Sequence, residues 1–492
     1  MELKIKISNW SAGLPVVMLN EKTAKELGVH AGDRISIKTI SKKPREMVTI
    51  LDTTEKIVNK RELGVSVEIK KRLSLREGQK IDISLSSNPM SVNYIKKKLL
   101  GKVLIEAEIK EIIQDVVNNK LSEPEIAVFI SAMYKNGMNF LETVSLIDAI
   151  LYSGKKLTFK NKLVVDKHCI GGIAGNRTTP IIVTICAAGG LIFPKTSSRA
   201  ITSAAGTADC IEVLAPVEFS MEQLKKIVKK TNGCLTWGGS LGMVPADSKI
   251  LKVEKMLKLD PTAQLLASIM SKKLADGGKY ILIDIPYGKK AKVNKNKAIY
   301  LKKQFEKLGK HFNVIVKVIL TKGNEPIGNG IGPALEILDV IKVLNPKEEG
   351  PTDLEKKSLY LSGLIFEMTG KAKKGKGINL AKEILDSGKA FKKFKEIISA
   401  QKGKFKGIKL SKIFKIIHSK KSGKIKEIDN KLINELARVA GCPLDKFAGV
   451  HIQHHVGDKI KKGDELITIY AESKPRLKSA LKFYHEKSPI KL

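Results

Sequence analysis

The sequence predicts a multidomain α/β protein, on three observations. Its 492 residues exceed what one ordinary core encloses; its texture passes from strands to helices to alternating strands and helices; and two early stretches echo each other. Residues 1 to 88 carry that echo, LGVHAGDRISIK at 27 to 38 and LSLREGQKIDISL at 73 to 85. Each sets an apolar residue before a Gly with a polar neighbour and then an alternating I-x-I strand, so a small, pseudo-symmetric β-barrel-like domain is expected, with no catalytic constellation in it.

From 93 to 158 the period changes to that of helices, in LLGKVLIEAEIKEIIQDVV and IAVFISAMYKNGM. Ser122 with Glu125 and Asn139 with Glu142 have the spacing of capping boxes, in which side chains satisfy the orphan N–H groups of a helix start. Between 160 and 345 apolar strand-like runs, LVV at 163 to 165 and YILIDI at 280 to 285, alternate with glycine-rich loops and helical segments, the grammar of a buried sheet. Residues 346 to 406 form a Lys-rich helical segment, and 407 to 492 return to strands and turns in an expected C-terminal α+β domain. There His451, His454 and His455 read as outward-facing residues of a β-hairpin, since no Cys or carboxylate cluster accompanies them as a metal site requires.

Composition narrows the function classes. With 42% hydrophobic and 28% charged residues the chain is that of a soluble globular protein, and no apolar run approaches the roughly 20 residues of a membrane span. The opening MELKIKISNW alternates charge with Ile and lacks a signal peptide's apolar centre, so a cytoplasmic location is expected. Five widely spaced cysteines without a C-x-x-C pair argue against disulfides and structural zinc. The net charge of +39 has the size of a nucleic-acid binder's, but its lysines are dispersed over helix faces with few aromatics between them. Attraction of anionic small molecules is the better reading.

The chemistry concentrates between Asp166 and Lys292. In VVDKHCIGGIAGNRTTPIIVTICAAGG a strand is followed by a loop containing Gly171, Gly172 and Gly175, and then by a helix with Thr178, Thr179 and Pro180 in its first turn. Free backbone N–H groups and the helix dipole make such a junction an anion site, with Lys167 and His168 at its mouth. The glycine spacing is neither that of a P-loop nor that of the dinucleotide fingerprint. A second loop, KTSSRAITSAAGTAD at 195 to 209, brings six hydroxyls and Arg199, a combination suited to phosphate oxygens. Further on, Asp260 precedes Pro261 and an apolar helix, which fits a helix cap as well as a catalytic carboxyl. Ser268, Ser271 and Lys272 fall within about one turn of that helix.

These motifs, DKHCIGG at 166, SSRAITSAAGT at 197, GGSLGMVPAD at 238, ASIMSKKLADG at 267, NGIGPALEI at 329 and the terminal GVHIQHHVGDKIKKGDELITIYA, resemble the thymidine/AMP phosphorylase family over nearly everything after residue 93. The pyrimidine nucleoside branch has DKHSTGG and a glycine-rich second loop. It also has an Arg-Asp pair fifteen residues before the Ser of its S-x-x-x-K element. Here Cys169 replaces the serine, Ala204 and Ala205 replace glycines, and Val253-Glu254 stands where the base-reading Arg-Asp would. Loss of that arginine removes a charge-assisted hydrogen bond worth about 1.5–3 kcal/mol. The resemblance is closer to the archaeal AMP phosphorylase branch, which also carries an N-terminal β-domain.

That resemblance implies a helical domain packed on an α/β domain with a mixed sheet, flanked by β-rich terminal domains, with the site in the cleft between the helical and α/β domains and closing over its substrates. It implies phosphorolysis of AMP to adenine and ribose 1,5-bisphosphate, with CMP and UMP as further substrates, in an enzyme that is at least a dimer and uses neither cofactor nor metal. Asp260 becomes the proton donor to the departing base. AMP is held by Gly172, Ser198, Arg199, Ala200, Ile201, Thr202, Ser203, Thr207, Ser268 and Lys292, and phosphate by Lys167, Thr178, Ser197 and Thr207. The competing expectations are a pyrimidine nucleoside phosphorylase, a phosphoribosyltransferase of the anthranilate type and a basic RNA-binding protein.

Overall fold

The computed structural model describes residues 1–8, 15–159, 163–200, 203–405 and 407–492. It divides into two units, Met1–Ser153 with Pro245–Ser268, and Gly154–Val244 with Ile269–Leu492.

In the first unit, residues 1–88 close a six-stranded barrel. The strand Arg34–Thr39 lies antiparallel to Lys80–Leu85, pairing Ile37 with Ile83. These are the strands of the two echoing stretches, and each follows a short helix, Glu21–Leu27 or Val67–Leu73, that ends on a left-handed residue, Gly28 or Ser74. The internal echo is therefore a structural repeat whose halves pair with each other. Alternate residues, among them Leu3, Ile5, Ile35, Ile37, Leu63, Ile81 and Ile83, turn inward and fill the barrel, as the period-two pattern requires.

Four helices follow, Ser91–Leu99, Glu106–Asn118, Glu123–Asn136 and Phe140–Tyr152, and the helix Pro245–Leu257 returns to this unit from far along the chain. Both expected capping boxes form: Ser122 accepts from the Glu125 amide while Glu125 accepts from the Ser122 amide, and Asn139 and Glu142 do the same. Glu142 is buried and also accepts from Lys98 at 2.7 Å and from the Leu104 amide at 3.0 Å, so one side chain caps a helix and pairs a buried ammonium.

The second unit is built on parallel strands. Tyr280–Tyr287 lies between Val165–Cys169 and Ile315–Lys322, and Phe193–Ser197 pairs with Gly233–Trp237. A parallel bridge from Val164 to Ile192 joins the two groups. Antiparallel pairing enters where the short strand Gly330–Ile331 meets Gly449–Ile452 of the C-terminal region, and it continues within that region. The helix Thr178–Ala188 is buried along its length, which its continuous apolar run TTPIIVTICAA anticipates, and shares a core with the helices Thr352–Met368, Gly377–Asp386 and Lys389–Ala400. The C-terminal region adds an antiparallel sheet and the helices Asn430–Ala440 and Lys474–Lys487.

Two of the three histidines, His451 in that sheet and His455 in the loop after it, do not face outward as expected. His455 is bonded to the Asn329 side chain at 3.0 Å and lies 3.4 Å from Glu325, whose hydrogen bond raises its pKa. His451 is half-buried, and the loss of hydration lowers its pKa to about 4. Periodicity assigns a residue to a face of a strand; it does not show that another segment of the chain covers that face.

Candidate functional site

In an open parallel sheet the loops at the carboxyl ends of the strands form the binding edge, because side chains and helix N-termini converge there. The loop that opens with Ile170 follows the strand Val165–Cys169, and the loop that opens with Ser198 follows Phe193–Ser197. Lys292 follows Tyr280–Tyr287 in the same sense. The sequence-predicted binding residues of the second unit thus leave the sheet at one edge.

Lys167 is not at the mouth of the first loop. It is 1% exposed and its Nζ donates to Thr178 Oγ1 at 2.8 Å, at the start of the buried helix. Burial lowers its pKa, which makes the ammonium a ready partner for an anion that would restore the charge balance. Arg177, which sequence reasoning passed over, donates through Nη1 to Thr207 Oγ1 at 2.8 Å, through Nη2 to the Ala205 carbonyl at 2.9 Å, and through Nε to Glu336 at 2.8 Å. The second loop is thereby tied to the first turn of the helix that ends the first loop. Thr178 and Thr207 each accept from a cation, and no acceptor among the described residues takes their hydroxyl protons, which remain available to anionic oxygens.

Gly172 has φ +92°, and a Cβ there would stand 2.7 Å from the Lys292 amide nitrogen and 2.8 Å from its Cβ. Any other residue would be both strained and in collision, so glycine at this position brings the first loop against the backbone of Lys292. Ser197 ends its strand with Oγ donating to the Thr236 carbonyl at 3.1 Å, and Ser198 is exposed beside it.

The second loop is held by acids. Asp209 accepts from the Ala200 amide at 2.7 Å and the Gly206 amide at 2.8 Å. Arg199 donates to Glu212 at 2.7 and 2.8 Å, to Glu218 at 3.1 Å and to Asp209 at 3.3 Å, with its guanidinium 5.0 Å from the Trp237 ring centre. These bonds to Arg199 depress the Glu212 carboxyl to about 2. The expected phosphate fork is therefore engaged with three carboxylates in this structure. Its partners lie 10 to 19 residues along the chain, close enough for their acidity to have been weighed against the phosphate reading. Ser203 Oγ donates to the Ala205 carbonyl at 3.0 Å. Ile201 and Thr202 lie outside the described residues.

Beneath both loops sits a buried ion network that sequence reasoning also missed. Asp166 accepts from Lys195 at 3.0 Å and from Lys273; Lys273 reaches Asp276 at 3.1 Å; and Thr196 donates to Asp276 at 2.9 and 2.8 Å. Burial raises Asp276 to about 6 and lowers Lys195 to about 8. The same burial, with Lys195 and Lys273 nearby, holds the His168 imidazole neutral at pH 7. The signal was present, since these charges fall inside the motifs DKHC, KTSS and SKKLAD, next to the residues singled out.

Asp260 and Ser268 belong to the first unit. Asp260 is exposed, immediately before Pro261, whose carbonyl accepts from the Leu265 amide as the helix Thr262–Ala275 begins. Ser268 is buried on that helix, as are Val253 and Glu254 on the preceding one. The arrangement as a whole offers cations, hydroxyls and a helix N-terminus at one sheet edge, which is the equipment for holding phosphate groups.

Known proteins match this chain along its length. Three family models match in succession: the helical bundle domain of the glycosyl transferase family at residues 92–154, its a/b domain at 161–391, and the pyrimidine nucleoside phosphorylase C-terminal domain at 424–491. A solved anthranilate phosphoribosyltransferase of Thermus thermophilus superposes with a TM-score of 0.53 at 19% identity, covering 63% of this chain and 99% of its own, which shows a shared fold. Proteins named AMP phosphorylase match throughout. Those of Thermococcus kodakarensis and Pyrococcus furiosus are each 42% identical over 100% of this chain and 98% of theirs, and that of Methanococcus vannielii is 41% identical over 99% and 97%. On identity of this level along its whole length, the chain belongs to the AMP phosphorylase family.

Proposed function

We propose that this protein is a nucleotide phosphorylase that cleaves the N-glycosidic bond of AMP with inorganic phosphate, giving adenine and ribose 1,5-bisphosphate, and that it also accepts CMP and UMP. The observation that carries the reading is the linked set Lys167–Thr178 and Arg177–Thr207 at the start of the buried helix, since it presents two hydroxyl donors backed by two cations to anionic oxygens. A reaction that brings inorganic phosphate to a substrate already bearing one needs such a concentration of positive charge.

In this mechanism a phosphate oxygen forms a bond to the anomeric carbon as the bond to the base nitrogen breaks. Asp260 gives its proton to the departing base, and the electron pair of the broken bond stays with that base. Lys167, Thr178, Ser197 and Thr207 hold the attacking phosphate, while Gly172, Ser198, Arg199, Ala200, Ile201, Thr202, Ser203, Thr207, Ser268 and Lys292 hold the nucleotide. Val253-Glu254 in place of a base-reading Arg-Asp disfavours pyrimidine nucleosides. A cytoplasmic homo-oligomer without membrane attachment or nucleic-acid partner completes the proposal; among the described residues no helix is long and apolar enough to cross a membrane.

The test is phosphate-dependent release of free base from AMP, CMP, UMP, adenosine and thymidine, with the sugar product identified by mass. Cleavage of nucleotides alone to a ribose bisphosphate is expected, and cleavage of nucleosides alone would overturn the reading. In the same assay Asp260→Asn should lower kcat about a hundredfold or more with the KM for AMP little changed, since general-acid catalysis contributes about 10²–10⁴-fold; near-normal turnover would leave Asp260 as a residue of the helix start.

A further inference from the structure

The N-terminal cap and first two turns of the C-terminal helix Asn430–Ala440 touch all three loops that carry the proposed ligand residues. Asp429 caps the helix, accepting from the Lys431 and Leu432 amides, and its other oxygen meets Lys290, two residues before Lys292, at 2.6 Å. Asn430, fully buried, accepts from the Ala174 amide at 3.1 Å and donates to the Gly323 carbonyl at 3.3 Å. Asn434 accepts from the Ala204 amide at 3.0 Å, and its own N–H is spent on the Asn430 carbonyl at 3.0 Å.

Asn430 and Asn434 are four residues apart and so lie on one face of the helix. The opposite requirement, packing, is met by Ile433, Leu436, Ala437 and Ala440, which are fully buried in the C-terminal core. Asparagine is a poor helix former compared with alanine, so these two side chains are not there for the helix. Each instead supplies the one acceptor that a buried loop N–H needs, at Ala174 two residues after Gly172 and at Ala204 inside the nucleotide loop. Those N–H groups are unreachable by the sheet, whose ladders end at Cys169 and Ser197.

We propose that Asn430 and Asn434 are positioning residues: from a separate C-terminal helix they set the spacing between the glycine loop and the nucleotide loop, and so the affinity for AMP. The proposal rests on the reading of those loops as the nucleotide site. It also gives the C-terminal region a part in the reaction through amide geometry, with no contact to substrate required.

The experiment uses the full-length chain and two readouts. Hydrogen exchange at the Ala204 amide should accelerate at least about tenfold in Asn434→Ala while the strand Phe193–Ser197 stays protected, because only a local opening is released. In the same variant the KM for AMP should rise about tenfold, the equivalent of about 1.4 kcal/mol, with kcat within about threefold of the parent. Asn434→Asp keeps the acceptor and should retain slow exchange at Ala204. Unchanged exchange in Asn434→Ala would overturn the proposal, as would a fall in melting temperature with faster exchange throughout the C-terminal region and an unmoved KM. If the parent protein fails to cleave AMP, the functional reading fails, and the exchange measurement still decides whether these residues hold the loops.

Discussion

The N-terminal barrel and the α/β region bury very different things. Among the described residues the barrel encloses aliphatic side chains and a few hydroxyls, Thr23, Ser36, Thr39, Thr49 and Ser66, and no charged residue that is buried as a whole. The α/β region buries Asp166, Lys167, Lys195, Lys273, Asp276, Asp284, Glu336 and Asp339. Each such charge costs several kcal/mol of hydration even when paired, so a fold selected for stability alone would replace them with apolar groups. The contrast teaches where this protein has accepted a stability cost for the sake of a site. In the barrel the pattern and the core agree completely; under the loops they conflict, and the conflict lies directly beneath the proposed phosphate contacts.

The largest effect that would sharpen this comparison is expected from Lys273→Met. The change keeps side-chain length but leaves Asp276 without its ammonium and Asp166 with only Lys195. Breaking a buried pair in this way costs about 3–5 kcal/mol, and the strand bearing Lys167 should lose its register with the loop. Urea unfolding and AMP turnover should fall together; a variant of parental stability would mean that the network adds nothing to the fold. A smaller effect of a different kind is expected in the barrel. Leu63→Ala, at a fully buried position of the barrel core, should cost about 2–5 kcal/mol in the unfolding of that domain while the KM for AMP stays within experimental scatter. A KM that moved with it would break the comparison, because the barrel would then share in the site.

Much of this division was legible in the sequence. The barrel showed itself through the echo of LGVHAGDRISIK and LSLREGQKIDISL, because a pseudo-symmetric pair of strands leaves the same signature twice. Ser122 and Asn139 marked their helices since capping is decided within four residues. The glycine loop and the hydroxyl loop were visible for a similar reason: close backbone approach needs glycine or alanine wherever the chain happens to go. What remained hidden depends on distant partners. Asn430 meets Ala174 across 256 positions, and no local pattern distinguishes it from an exposed helix asparagine. Arg177 was overlooked because an arginine before a helix is ordinarily solvated, and only the fold supplies Glu336 and Thr207. Arg199 is the instructive case, for its partners in this structure are acids of its own segment. A guanidinium among hydroxyls suits phosphate, yet Asp209, Glu212 and Glu218 follow within the same segment and take it.

The smallest effect concerns those partners and carries a sign. The Glu212 carboxyl is depressed to about 2 by its hydrogen bonds to Arg199 and Lys446, burial opposing them. In the unfolded chain it returns to the ordinary carboxylate range near 4.5. A group whose folded pKa is lowered adds stability that is fully present above the unfolded value and is lost as pH falls through the folded one. Since both partners are partly exposed, solvent screens the pair, and the gain is a modest one. Glu212→Gln should therefore melt slightly below the parent at pH 6 to 8, and the gap should narrow steadily from about pH 5 downward as the parent's carboxylate is protonated. A gap independent of pH would show that the glutamate acts by packing, and a variant that melts higher would show that Arg199 is better served by another acid. Were the gap to close on adding AMP and phosphate at neutral pH, Arg199 would have exchanged its carboxylates for a substrate phosphate. The second loop would then join the α/β ion network as a place where paired charge is held for use, the property that separates this region from the barrel.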